Sequence, residues 1–173
     1  MTSPSHPGRL LEMSGAYWQT CALHAAVQLD LFTRIGRSAM HADEIAATLQ
    51  ADPRAMTMLL NALVAMKLLK KSGLSFQNSE ESALYLDAAS PSYQGHIILH
   101  HQQLMASWAG LDEAIRTGRP VRTRPSFEDP EARKHFLMGM FNLAMGLAPH
   151  VVAAIDLTNR HRLLDLGGGP GTY

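Results

Sequence analysis

One cysteine, Cys21, is all that 173 residues contain. That excludes an internal disulfide framework and fits a chain kept in a reducing compartment, so the expected location is cytoplasmic. Excess charge of either sign is also missing: 15 basic and 15 acidic side chains leave a formal charge of zero. Nothing global therefore draws the chain to nucleic acid, a membrane surface or an acidic partner. No apolar stretch reaches the roughly 18 residues that a membrane span needs. The N-terminal "MTSPSHPGRL" lacks the apolar centre of a signal peptide, and residues 1–12 read as a flexible tail. Internal repeats and low-complexity tracts are absent. What remains is the balance of a chain that folds around a core, with 46% apolar and 17% charged residues. The length is enough for one domain, or for one domain and a piece of another.

Helical periodicity dominates the first ninety residues. From Met13 to Phe32, Tyr17, Cys21, His24 and Gln28 share one stripe, while Leu23, Ala26, Val27 and Leu31 form a second. One helix is expected there, with Cys21 as a small buried hydrophobe. "HADEIAATLQ" reads as a short helix with acidic residues in its first turn. In "ADPRAMTMLLNALVAMKLLKKSG", Asp52 suits an N-cap, Pro53 the first turn, and Gly73 a stop. Two short runs around Lys71-Ser72-Gly73 fit a small hairpin.

Three helices followed by a two-stranded wing is the order of a winged-helix unit, whose ordinary work is DNA binding. A DNA-reading helix needs Arg, Lys, Asn or Gln along one face. Between Arg54 and Leu69 only Arg54, Thr57, Asn61 and Lys67 are polar, and apolar residues spread almost all the way round. A helix of that kind is buried on several sides. The expectation is burial by its own domain and by a second copy, with no nucleic acid and no membrane as partner. Residues 13–91 are expected as this domain, with Pro91 and Ser92 closing it.

Residues 92–157 read as a helical linker. Ile97, Leu104, Trp108, Leu111 and Ile115 mark a long helix from Tyr93 to about Thr117, closed by Gly118. A further helix starts near Pro130, with a break expected at Gly146 to Pro149. His96, His100 and His101 cluster, but no Glu, Asp or Cys stands beside them at ligand spacing, so no metal site is expected.

The final stretch, residues 158–173, is the most informative. In "RLLDLGGGPGTY", Leu163, Leu164 and Leu166 read as a short strand buried on both faces, with glycines beginning at its C-terminal edge. A P-loop would need Gly-Lys-Ser/Thr, and no lysine follows. A G-x-G-x-x-G fingerprint fails because Thr172 stands at its sixth position. D-x-G-x-G-x-G does fit, through Asp165, Gly167, Gly169 and Gly171.

That pattern resembles the first motif of class I S-adenosylmethionine-dependent methyltransferases. With "SWAGLDEAIRTGRP", "FNLAMG" and the winged-helix-like unit upstream, the chain resembles the small-molecule O-methyltransferases of the caffeate and hydroxyneurosporene type from about Leu10 to Tyr173. The resemblance implies a mainly α fold: a dimerisation domain, then linker helices, then the first strand and glycine loop of an α/β Rossmann-like domain. It implies S-adenosyl-L-methionine as cofactor, held near Asp165, Gly167, Gly169 and Gly171. Leu137, Phe141 and Met145 would line the pocket of a small-molecule acceptor, an aromatic or polyketide-like hydroxyl of secondary metabolism. The family's ribose-binding acidic residue and general-base histidine lie beyond Tyr173, so no catalytic residue is assigned. The chain therefore reads as a fragment, inactive and binding its cofactor weakly if at all. A homodimer through residues 10–90 is implied, with Leu59 and Leu63 at its interface. The alternative is a winged-helix regulator or a stand-alone dimerisation module with an incidental glycine-rich tail.

Overall fold

The structure, a computed structural model, describes residues 7–121 and 125–172. It divides into two compact units, Met1–Asp87 and Ala88–Tyr173. Most of both is helical, with one small three-stranded antiparallel sheet.

The first unit begins with α1 (Gly8–Gly15), α2 (Tyr17–Gln28) and α3 (Leu31–Ile35). Residues 8–12 are thus helical rather than a flexible tail, and the single helix expected over Met13–Phe32 is in three pieces. At the first break the Ala16 N–H reaches back only three residues, to the Met13 carbonyl at 3.4 Å. At the second, Asp30 takes a left-handed conformation (φ 55°). That turn puts Leu31, Phe32 and Ile35 into the core, all at 2% exposure or less. Tertiary burial outweighs helical continuity here. Cys21 is exposed, because it lies on the face of α2 opposite Ala26 and Val27, which are buried.

Strand β1 (Met40–His41) leads into α4 (Ala42–Thr48), whose start is fixed by Glu44 Oε2 accepting from the His41 N–H at 2.9 Å. Helix α5 (Pro53–Ala65) begins as its residues dictate: Asp52 Oδ1 accepts from Ala55 N–H at 2.7 Å, and Pro53 fills the first position. It stops short of Leu69. Lys67 adopts φ 62°, its N–H bonds to Val64 O and the Leu68 N–H to Leu63 O, both at 2.9 Å. This two-bond Schellman closure frees the next residues for β2 (Leu69–Ser72). Gly73, at φ 59°, and Leu74 turn the chain into β3 (Ser75–Asn78). The order is β1-β3-β2, with Lys71 opposite Phe76 and Met40 on the other side of it. Helix α6 (Glu80–Tyr85), not foreseen from the sequence, is capped by Ser79 Oγ accepting from Ser82 N–H at 3.2 Å.

Ile45, Leu60, Leu63, Phe76 and Met56 fill the core with α3's side chains. This corrects the expectation for Leu63: at 0% exposure it belongs to its own unit's interior, whereas Leu59 is half-buried. Asn78 ties the hairpin to α3, donating through Nδ2 to Phe32 O (2.8 Å) and Gly36 O (2.9 Å).

The second unit holds α7 (Gly95–Ala109), α8 (Leu111–Thr117), α9 (Pro125–Glu128) and α10 (Pro130–Ala154). The long helix expected from Tyr93 divides at Gly110, where a Cβ would meet the Val121 side chain at 3.0 Å. Gly118 closes α8 in the left-handed region (φ 65°). Helix α10 starts where Asp129 Oδ1 accepts from Glu131 N–H at 2.9 Å, and it runs unbroken through Pro149. The break expected at Gly146–Pro149 does not occur; a proline costs one ladder bond and some strain, and 25 residues of helix absorb it. One 18-residue window of α10 has a mean hydropathy of 1.5 and is 11% buried. By length and composition alone it could cross a membrane, which corrects the expectation drawn from the sequence. Scattered Gly, His and Asn hide the apolar total from a reading that looks for runs.

The strand expected at Leu163–Leu166 is absent. Residues 158–166 are irregular, and Leu163, Leu164 and Leu166 are 80%, 84% and 91% exposed. A strand needs neighbours for its N–H and C=O groups, and among the described residues the second unit contains no strand to pair with.

Candidate functional site

Within the second unit, α10 and the glycine-rich stretch enclose a cleft of about 430 Å³. One wall is apolar: Phe136, Leu137, Met140, Leu143, Ala144 and Leu147. The other is Gly167, Gly168, Gly169, Pro170 and Thr172. Phe136, Met140, Leu143 and Leu147 recur at spacings of four, three and four, which puts them on one face of a helix.

The loop takes its shape from its glycines. Gly167, Gly169 and Gly171 all lie in the left-handed region, at φ 79°, 57° and 65°. No heavy atom comes within 4 Å of where their Cβ atoms would stand. Side chains there are thus excluded by backbone conformation, and the open space leaves room for a ligand to touch the main chain. Gly168 differs: a Cβ on it would collide with the Asp165 carboxylate. A turn bond from Gly171 N–H to Gly168 O (3.0 Å) closes the loop. The Thr172 hydroxyl lies buried at the cleft edge with no hydrogen-bond partner.

Of the residues singled out from the sequence, the cleft brings together Leu137, Gly167 and Gly169. Asp165 touches the loop from outside, and Gly171 contributes its turn but no lining. Phe141, half-buried, and Met145, exposed, stand on the neighbouring stripe of α10 and do not line the cleft. Phe141 and Met145 each lie one residue step, about 100°, round the helix from the lining residues Met140 and Ala144. Phe136, Met140, Leu143, Leu147 and Thr172 were missed, although the spacing of the first four was there to be read. Tyr173 lies outside the described residues. Beside Phe141, the Asn142 Oδ1 is buried with no hydrogen-bond partner. Among the described residues no three His, Cys, Asp or Glu side chains converge as a metal site.

Residues 11–88 match the O-methyltransferase dimerisation domain, a span that nearly coincides with the first compact unit. The tetracenomycin polyketide synthesis 8-O-methyl transferase of Streptomyces glaucescens is 34% identical over 181 residues, covering 99% of this chain and 53% of that protein. The first unit therefore carries the O-methyltransferase dimerisation domain, and the chain as a whole is similar to O-methyltransferases. A second relative, the 3-hydroxy-5-methyl-1-naphthoate 3-O-methyltransferase of Streptomyces sahachiroi, is 29% identical across 95% of this chain and 50% of its own length. The solved structure of an O-methyltransferase family protein from Burkholderia thailandensis superposes with a TM-score of 0.83 at 30% identity, over 98% of this chain and 52% of that one. The chain thus spans about half the length of the O-methyltransferases it matches.

Two features of the loop bear on whether it could take S-adenosylmethionine, the cofactor of these methyltransferases. Left-handed glycines leave the main chain approachable, and an unpartnered hydroxyl waits at the cleft edge.

Proposed function

We propose that this chain serves an enzyme moving the methyl group of S-adenosylmethionine onto the hydroxyl of a small aromatic or polyketide-like molecule in secondary metabolism. The observation that carries this reading is the cleft, in which an apolar helix face stands opposite a left-handed glycine loop. Methyl transfer between two bound molecules needs a polar cradle for one and a hydrophobic slot for the other, held close and shielded from water. Gly167 and Gly169 would hold the methionine end of the cofactor through backbone groups. Asp165, lodged against Gly168, would keep the loop in shape. Phe136, Leu137, Met140 and Leu143 would press on the face of a flat acceptor and exclude water from it. When bound, the cofactor supplies an electrophilic methyl group. The activities of the two Streptomyces relatives, on a polyketide and on a naphthoate, support an aromatic acceptor.

The first unit would join two copies of the chain in a winged-helix-type arrangement. Leu10, Leu11, Met13, Tyr17 and Trp18 leave a largely exposed apolar stripe on α1 and α2, of the sort that obligate dimers cover. Residues 1–173 alone would be inactive and would hold the cofactor weakly, since no strand underlies the loop among the described residues.

The test joins residues 1–173 to the unmatched half of the Streptomyces glaucescens enzyme and follows labelled methyl from S-adenosylmethionine to a phenolic polyketide. Transfer to oxygen is expected, and Gly169→Val should abolish it by removing the left-handed turn. A folded, dimeric fusion that takes up cofactor yet methylates no phenol would overturn the acceptor assignment.

A further inference from the structure

Helices α7 and α10 meet through two histidines that the cleft does not use. His96, in the first turn of α7, and His135, in the second turn of α10, bring their Nδ1 atoms to 3.1 Å, with ring centroids 5.3 Å apart. Such a contact needs one nitrogen to donate and the other to accept. With both imidazoles fully protonated, two donors and two positive charges face one another.

The surroundings leave these rings little room to part. A Cβ on Gly139 would stand 3.0 Å from Ile97 Cα, so the two main chains are close to contact one turn beyond the pair. The Tyr93 ring meets His96 edge-on at 5.3 Å, and His100 lies against Phe136 at 5.1 Å. Phe136 follows His135 in sequence and opens the apolar wall of the cleft. The position of α10 against α7 is therefore also the position of that wall.

We propose that the His96–His135 pair is an acid-released clasp, fixing α10 and the cleft wall it carries against α7 while at least one imidazole is neutral.

The charged groups around the pair favour the neutral form on balance. Burial lowers the His96 pKa below the ordinary 6.5, helped by His135 and Lys134 and opposed by Glu131. Burial also lowers His135, with Glu131 and Asp129 opposing and Lys134 assisting. His100, further along α7, is lowered by burial and by His101, against a hydrogen bond that the protonated ring donates to Gln103. The unfolded chain thus takes up these protons first as the solution is acidified. The contribution to stability is complete above pH 6.5 and drains away as pH falls through the lowered folded values.

The test uses the intact chain. The melting temperature is measured from pH 7.5 to 5.0 for the unmodified protein, for His135→Asn, and for the exposed-site control His101→Gln. The Asn amide can still hydrogen-bond His96 but takes up no proton, so the acid-induced drop should shrink by about half, while His101→Gln keeps most of the full drop. In parallel, nitrogen-15 spectra of the imidazoles should show His96 and His135 titrating below 6.5 and as a coupled pair. Equal acid sensitivity in the unmodified protein and His135→Asn would overturn the clasp. So would two independent titrations at or above 6.5, a result legible from the unmodified protein even if the variant fails to fold.

Discussion

Removing the side chain of Asn78 isolates the bond that joins the hairpin of the first unit to its helices. Asn78 is 6% exposed, and its Nδ2 donates to two main-chain oxygens some forty residues earlier. Asn78→Ala deletes both bonds. Each is worth about 1 kcal/mol net, and the lost volume adds roughly 0.5–1 kcal/mol of packing. Two features of the structure reduce the sum. The Phe32 oxygen keeps a second donor, the Gly36 N–H at 2.9 Å. The Asn78 Oδ1 is itself buried and without a partner, so its removal relieves part of a desolvation cost. About 2 kcal/mol of destabilisation remains, against roughly 4–13 kcal/mol for a unit of this size. That corresponds to a fall in melting temperature of about 8–16 °C. Urea unfolding followed by circular dichroism, at one fixed protein concentration so that association contributes equally, reads the difference directly. Asn78→Asp should cost more, because an acceptor-only carboxylate would face two carbonyl oxygens. Gln77→Ala should cost under about 0.5 kcal/mol, since Gln77 makes only a long, exposed bond of 3.3 Å to Arg37 O. If Asn78→Ala were no more harmful than Gln77→Ala, the tie between β3 and α3 would carry none of the stability assigned to it.

Two glycines of α10 should respond in opposite directions. Gly139→Val, driven into the Ile97 main chain, is expected to cost about 1–3 kcal/mol by overpacking, whereas Gly146→Ala, with nothing within 4 Å, should gain about 0.5–1 kcal/mol of helix propensity; thermal melts of both variants decide it. In the first unit, Trp18→Asp is expected to weaken association by about 2 kcal/mol or more while leaving helicity intact. Leu63→Asp should instead unfold the unit, a contrast that light scattering paired with circular dichroism resolves.

The starts of α5 and α10, the hairpin turn at Gly73 and the stop at Gly118 were all legible in the sequence, because each depends on a few adjacent residues with one dominant local chemistry. Asp-Pro opens both helices here, and the left-handed Gly73 and Gly118 each end an element. The O-methyltransferase resemblance was legible for a similar reason, since the glycine loop demands particular residues at fixed spacing. The break at Asp30 was not, because the apolar stripes run on through it and only the burial of Leu31, Phe32 and Ile35 opposes continuity. The phase of α10 was also hidden. Its apolar residues are numerous enough to offer two neighbouring stripes, and contact with α7 and the loop selects the face carrying Phe136, Met140 and Leu143 over the one carrying Phe141 and Met145. Leu163, Leu164 and Leu166 show the limit most plainly. Their composition is that of a buried strand, yet a strand forms only against neighbouring backbone, and the tertiary structure of the described residues holds none beside them.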